Sequence, residues 1–242
     1  MRARIVGLGL IGGSIGLALR RAGWRVSYVD PNVTDADAIA SGAVDERDDA
    51  EPDITLLATP VDAALDALQQ SDRLTTSVCS VMQPLRDAAG TKPFIAGHPM
   101  AGSAKRGLAA ANVNLFRNKR WFIDREDPIV ARVIADCGAR LVLVDAAEHD
   151  AAVALTSHIP QILSTALAAY LEERDVAAFA GAGLATFLRL AESDATVWTA
   201  TIEANRKNIA PHLDGIIEVI RKILDGDEEA FAKAQKFLQR MK

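Results

Sequence analysis

The sequence predicts an α/β fold: a doubly wound parallel sheet at the N-terminus, followed by an all-helical C-terminal domain. Two observations carry this. Short apolar runs alternate with helical patterns through residues 2–145, as in consecutive βαβ units. From about residue 146 the strand signals stop and only helical periodicity remains. The change divides the chain into domains at 1–146 and 147–242.

Taken in order, residues 4–6, 26–29, 54–58, 77–81, 94–96, 121–123 and 141–144 read as strands of a largely parallel sheet. Helical stretches lie between most of them, among them 10–22, 62–69 and 128–137. Beyond the sheet, residues 147–172, roughly 185–208, 212–224 and 227–240 carry helical periodicity. Breaks are expected near Gly181-Ala182-Gly183, Pro211 and Gly226. A helix over 148–172 would run about 37 Å at 1.5 Å per residue, long enough to join two domains or to pair with its twin in a dimer.

Composition removes several classes. A chain of 242 residues can bury a full core as one large domain or two smaller ones. The net charge of −5 argues against a nucleic-acid partner, which leaves a basic footprint. Cys79 and Cys137 have no CxxC spacing and read as buried thiols in a reducing compartment. Arg2 and Arg4 before the uncharged run 5–19 imitate a signal peptide. That run holds five glycines, is too short to span a bilayer and suits a phosphate-binding turn. The expectation is a cytoplasmic protein with no membrane partner.

Gly7-Leu8-Gly9-Leu10-Ile11-Gly12 satisfies G-x-G-x-x-G between the first strand and the first helix. Gly7 permits the tight turn, Gly9 lets the backbone approach a pyrophosphate, and Gly12 allows close helix–strand packing. Leu10 and Ile11 open the helix whose free N–H groups would face the phosphates. Asp30 closes the second strand, where a carboxylate would accept from both ribose hydroxyls. No arginine follows it in Pro31-Asn32-Val33, so NAD is favoured over NADP. Thr59 and Pro60, after the third strand, would face the adenine–ribose side. The N-terminal domain is therefore read as a Rossmann-type NAD site.

Gly97-His98-Pro99-Met100-Ala101-Gly102-Ser103 places a histidine among turn-formers just after the apolar run Phe94-Ile95-Ala96. An unperturbed imidazole titrates near neutral pH, so His98 is the first candidate to handle a proton while NAD handles a hydride.

These residues carry a resemblance. Gly97 to Gly102 resembles the catalytic-histidine motif of the prephenate and arogenate dehydrogenases, which make the aromatic ring of tyrosine. Leu155-Thr156-Ser157-His158-Ile159-Pro160-Gln161 resembles that family's Ser-His-Leu-Pro-His segment. Leu188-Arg189-Leu190-Ala191-Glu192-Ser193-Asp194, followed by Trp198, resembles its Thr-Arg-Ile-Ala-x-Ser-Asp…Trp segment. With the glycine turn, four motifs follow in order over nearly the whole chain.

The resemblance implies NAD-dependent oxidative decarboxylation of a cyclohexadienyl small molecule by a homodimer joined through its helical domain. Hydride would leave ring C4, the C4 hydroxyl proton would pass to a base, and loss of CO2 would make the ring aromatic. His98 would be the base and Ser80 would orient the hydroxyl. Arg189 would hold a substrate carboxylate, with Ser157, His158, Gln161 and Trp198 lining the substrate. The alternative partner for Arg189 is Glu192, three residues on in a helix. No metal is implied. His149, His212, Asn205, Arg206 and Asn208 read as exposed positions on helices.

The chain departs from the family pattern on the substrate side. Gln161 stands for the second histidine of Ser-His-Leu-Pro-His, and Ala104-Lys105-Arg106 stands where an acid is frequent. Met82 and Ser77 replace a lysine and an aspartate near Ser80. Prephenate, arogenate and a 4-amino-4-deoxy analogue of prephenate therefore all stay open as substrates. A module that binds NAD without turnover is the alternative outside enzymes.

Overall fold

The computed structural model describes residues 1–45, 50–102, 105–193 and 195–241. Ser103, Ala104 and Asp194, singled out above, lie outside the described residues.

The chain alternates β1 (Arg2–Val6), α1 (Leu10–Arg21), β2 (Arg25–Val29), α2 (Asp35–Ala40), β3 (Ile54–Leu57), α3 (Val61–Gln69), β4 (Thr75–Ser77), α4 (Gln83–Ala89) and β5 (Phe94–Ile95). These strands form a five-stranded parallel sheet in the order β2-β1-β3-β4-β5. Ile5, Val26, Ile54 and Leu56 are fully buried, as expected of a parallel sheet with helices on both faces. Sequence order reverses beside β1, so a crevice opens at the carboxyl ends of β1 and β3. The glycine turn lies there.

A second, three-stranded sheet follows: β6 (Gly97–Pro99), β7 (Arg120–Ile123) and, after α5 (Pro128–Asp136), β8 (Arg140–Leu143). β6 runs antiparallel to β7, whereas β7 and β8 are parallel. The sequence placed His98 on an irregular turn; the structure places it in β6, paired with Phe122. Gly97 makes the switch between sheets possible. A β-carbon there would lie 2.8 Å from the Ser77 carbonyl oxygen, so β6 crosses directly over the end of β4. Asp124 fixes the same switch by accepting from the Ala96 N–H at 2.8 Å, and Arg86 bridges Asp124 at 3.2 Å and the Phe94 carbonyl at 2.7 Å.

The helical part comprises α6 (Ala146–Val153), α7 (Ile159–Glu172), α8 (Ala182–Leu188), α9 (Ala195–Ala204), α10 (Arg206–Leu224) and α11 (Glu228–Arg240). The long helix expected over 148–172 exists, but Ala154–His158 is a π-helical turn between α6 and α7. Pro160 has no N–H to give the preceding turn, which favours such a widened register. By length and composition this 27-residue stretch, Ala146–Glu172, could cross a bilayer. Its inward residues include His149, Asp150, His158, Gln161 and Ser164, all buried and bonded to other elements, as in a core helix.

One boundary differs from expectation and another matches it. Pro211 lies inside α10 and does not break it; the helix forgoes one backbone bond at an exposed position. Gly226, with φ +87°, does end α10.

Candidate active site

The glycine turn is shaped by backbone contacts. Gly7 has φ +94° and donates to the Val29 carbonyl at 2.9 Å; a β-carbon on it would lie 2.6 Å from the Ala58 carbonyl oxygen. A β-carbon on Gly12 would collide with the Gly7 carbonyl. A β-carbon on Gly9 would meet nothing within 4 Å outside the adjoining backbone, so the space above it is open. Gly9 is also the N-cap of α1, with no side-chain cap and no acid in the first turn, so the N–H groups at Leu10 and Ile11 are left for a ligand.

Asp30 follows β2 directly. One carboxylate oxygen accepts from the Leu8 N–H at 2.7 Å and the other from the Asn32 N–H at 2.8 Å. Each oxygen keeps a lone pair toward a groove of about 670 Å³ lined by Leu8, Gly9, Asn32, Val33 and Leu108. Thr59 packs its methyl beside Gly7, its hydroxyl is buried without a partner, and Pro60 caps α3. An open glycine, uncapped helix N-terminus, acid at the groove and orphaned hydroxyl together suit a dinucleotide.

His98 is the head of a buried hydrogen-bond chain. Its Nδ1 lies 2.9 Å from His149 Nε2, and His149 Nδ1 lies 2.8 Å from Asp150 Oδ1. The His98 and His149 rings meet edge to face with centroids 5.1 Å apart, and Phe122 packs on His149 at 5.5 Å. Burial, with smaller contributions from His149 and His158, pushes the His98 pKa down to about 3, so its ring is neutral. His149 was expected at an exposed helix end. It is 2% exposed, because the first turn of α6 packs its inner face on β6, β7 and α4. The flanking Glu148 and Asp150 gave the misleading polar signal; Asp150 is itself buried and accepts from the N–H groups of Met82 and Gln83 at 2.8 and 2.9 Å.

Ser80 was read as the end of the fourth strand. That strand is Thr75–Ser77, and Ser80 sits three residues beyond it in the loop leading to α4. Its apolar neighbours Val78, Cys79 and Val81 imitate a strand because they are buried. Burial also pushes the Cys79 and Cys137 thiols up to about 12, which makes both unreactive.

The π turn carries Ser157, half-buried, and His158, fully buried. Asn205, expected on a solvated face, is 1% exposed at the start of α10 and supplies the contact sequence reasoning missed. Its amide donates to the Asp150 carbonyl at 2.8 Å and lies 3.0 Å from His158 Nδ1. The amide NH2 makes His158 Nδ1 the acceptor, so His158 carries its proton on Nε2, which is buried without a partner. Burial lowers the His158 pKa to about 4 against an opposing pull from Asp150. Gln161 donates to the Leu190 carbonyl at 2.8 Å and to Thr165 Oγ1 at 3.0 Å, and its Oε1 is buried without a partner.

Arg189 is not mid-helix as expected: it caps α8 and begins the 3-10 turn Arg189–Glu192. No ion pair between Arg189 and Glu192 exists, and Arg189 has no bonded partner among the described residues. It lines a cleft of about 520 Å³ with Leu10, Ile11, Gly102, Arg106 and Trp198. Trp198 also meets His158 edge to face at 5.9 Å. The cleft thus joins the cofactor turn, the segment after His98, and the arginine–tryptophan pair. Ser80 and His98 are not among its lining residues.

Residues 15–143 match the family described as prephenate dehydrogenase, nucleotide-binding domain, and residues 145–237 match prephenate dehydrogenase, dimerization domain. A prephenate dehydrogenase of Lactococcus lactis subsp. cremoris is 31% identical over 98% of this chain and 76% of its own. Among solved structures, prephenate dehydrogenase from A. aeolicus in complex with hydroxyphenyl propionate and NAD+ superposes with TM-score 0.86 at 25% identity, over 100% of this chain and 97% of its own. Synechocystis arogenate dehydrogenase gives TM-score 0.77 at 26% identity, over 99% and 97%. With its glycine turn, acid and two matched domains, the chain belongs to the prephenate/arogenate dehydrogenase family and is an NAD-dependent oxidoreductase.

Proposed function

We propose that this dehydrogenase converts prephenate to 4-hydroxyphenylpyruvate by oxidative decarboxylation. The observation that carries the reading is the single cleft shared by Leu10 and Ile11 at the cofactor helix and by Arg189 and Trp198 at the substrate side. Lys105 and Arg106 line it too, so a dicarboxylate meets three cationic side chains there.

NAD, when bound, supplies the hydride acceptor for ring C4. His98, neutral and fixed in β6, takes the C4 hydroxyl proton, and Ser80 orients that hydroxyl. Arg189 holds a carboxylate through two parallel donors, as a guanidinium does best. The C1–carboxylate bond releases CO2 as the ring becomes aromatic. Ser157 and the Nε2–H of His158 line the substrate, with Trp198 packed on His158.

A second reading, arogenate, is favoured by Gln161. Its Oε1 is a buried acceptor without a donor, and the ammonium of an amino-acid side chain would supply one. The amino and keto acids share every other group.

The protein acts as a cytoplasmic homodimer, with 1–146 as cofactor domain and 147–242 as substrate and dimer domain. Exposed Ile217, Ile220 and Leu224 on α10, with Phe231, Phe237 and Leu238 on α11, make an apolar surface that a second copy would cover.

The test is absorbance of reduced nicotinamide after mixing enzyme, NAD and either prephenate or arogenate. His98→Asn should lower kcat about 10²–10⁴-fold with little change in KM. NAD binding without turnover of these two compounds or of the 4-amino-4-deoxy analogue of prephenate would instead identify a sensing module.

A further inference from the structure

We propose that Asp150 and His149 are positioning residues that set the tautomer of His98, leaving its Nε2 as the basic nitrogen. The inference rests on His98 being the base.

The argument is donor arithmetic. Both Asp150 oxygens already receive backbone N–H groups: Oδ1 from Met82 at 2.8 Å, Oδ2 from Gln83 at 2.9 Å. Asp150 therefore faces His149 as an acceptor, and His149 Nδ1, 2.8 Å from Oδ1, must carry a proton. In a neutral imidazole the other nitrogen is then a lone pair, so His149 Nε2 accepts. His98 Nδ1, 2.9 Å away, must donate. The one nitrogen of His98 left without a proton is Nε2. A carboxylate thus dictates, two hydrogen bonds away, which His98 nitrogen can accept a proton. This is the logic of a base held by an orienting group, with one imidazole inserted.

The same carboxylate reaches the other proposed catalytic group. Met82 and Gln83 begin α4, two and three residues after Ser80, so Asp150 anchors both the serine loop and the histidine. When His98 takes the hydroxyl proton, the imidazolium has the Asp150 charge behind it in a site where burial otherwise opposes positive charge. Asn205 completes the clamp by holding the Asp150 backbone carbonyl at 2.8 Å.

The test is a tautomer measurement paired with kinetics. Full-length enzyme labelled with 15N-histidine, its signals assigned by single histidine substitutions, is examined by two-bond 1H–15N correlation at neutral pH. His98 and His149 should both show a protonated Nδ1. In Asp150→Asn the amide can present N–H to His149, which reverses the chain; His98 should then move to the Nε2–H form, and kcat should fall about 10²–10⁴-fold with the NAD Kd unchanged. Asp150 also caps α4, so that variant risks misfolding. His149→Phe keeps a ring against Phe122 and removes the link alone; it should free the His98 tautomer and lower kcat comparably. Wild-type His98 protonated on Nε2, or an unaltered His98 tautomer in both variants, would overturn the proposal. Because the tautomer is read without turnover, absence of activity toward prephenate and arogenate would count against the proposed function and not against this chain of bonds.

Discussion

The Asp30 carboxylate receives the Leu8 backbone N–H at 2.7 Å, fastening the acid after β2 to the glycine turn it faces. One group thereby shapes the turn and offers its remaining lone pairs to the groove. Asp30→Ala should weaken NAD binding roughly 10- to 100-fold, the scale of about 1.5–3 kcal/mol for hydrogen bonds to a charged group. NADP should lose less, since the carboxylate repels a 2′-phosphate. Calorimetric titration of both dinucleotides checks this; an unchanged NAD-to-NADP ratio would contradict it.

Gly9 and Gly12 separate cofactor binding from folding. A methyl on Gly12 meets the Gly7 carbonyl, part of a backbone that cannot yield, so Gly12→Ala should lower Tm sharply. A methyl on Gly9 meets nothing within 4 Å and projects into the space proposed for the pyrophosphate. Gly9→Ala should keep the wild-type Tm without ligand and lose most of the Tm rise that NAD produces. Equal NAD stabilisation of wild type and Gly9→Ala would place the phosphates elsewhere.

What was legible in the sequence follows from the range of the interactions involved. The turn at Gly7–Gly12 and the place of Asp30 beside it could be read because both depend on local backbone geometry. Arg189, Trp198 and His158 were singled out by motif, but their places could not be read: the capping position of Arg189 depends on how α8 ends. His149, Asp150 and Asn205 were hidden because their burial comes from packing 51 to 68 residues away, on β6 and α4, or across to α10. Polar residues in a helix read as solvated until the partner element is known. Ser80 was misplaced for the converse reason, since a buried loop carries the apolar signature of a strand.

Acid should destabilise the protein through its histidines. The folded-state pKa values of His98 and His158 lie near 3 and 4, below the unfolded value near 6.5. Above pH 6.5 neither state binds these protons, so their contribution to stability is complete and flat. As pH falls below 6.5 the unfolded chain takes up two protons that the folded chain refuses. Each costs up to about 1.4 kcal/mol per pH unit. Thermal melts should therefore show a constant Tm from pH 8 to 7 and a decline from 6.5 to 5, before carboxylates contribute. His158→Gln should flatten that decline by about half. A Tm independent of pH between 6.5 and 5 would mean that these rings protonate freely in the folded state.

Gln161 should act on the substrate through Arg189. Its amide donates to the Leu190 carbonyl at 2.8 Å, inside the turn that begins with Arg189, so it fixes the guanidinium's base without being charged itself. Arg189→Gln should raise the substrate KM about 10- to 100-fold at little cost in kcat, as removal of a charge-assisted contact does. Gln161→Met removes the donor at similar volume and should raise KM a few-fold, about one neutral hydrogen bond. The double variant distinguishes the routes. If Gln161 works by holding the turn, adding Gln161→Met to Arg189→Gln should change KM little further, because the group being held is gone. If Gln161 instead contacts the substrate independently, the two effects should multiply.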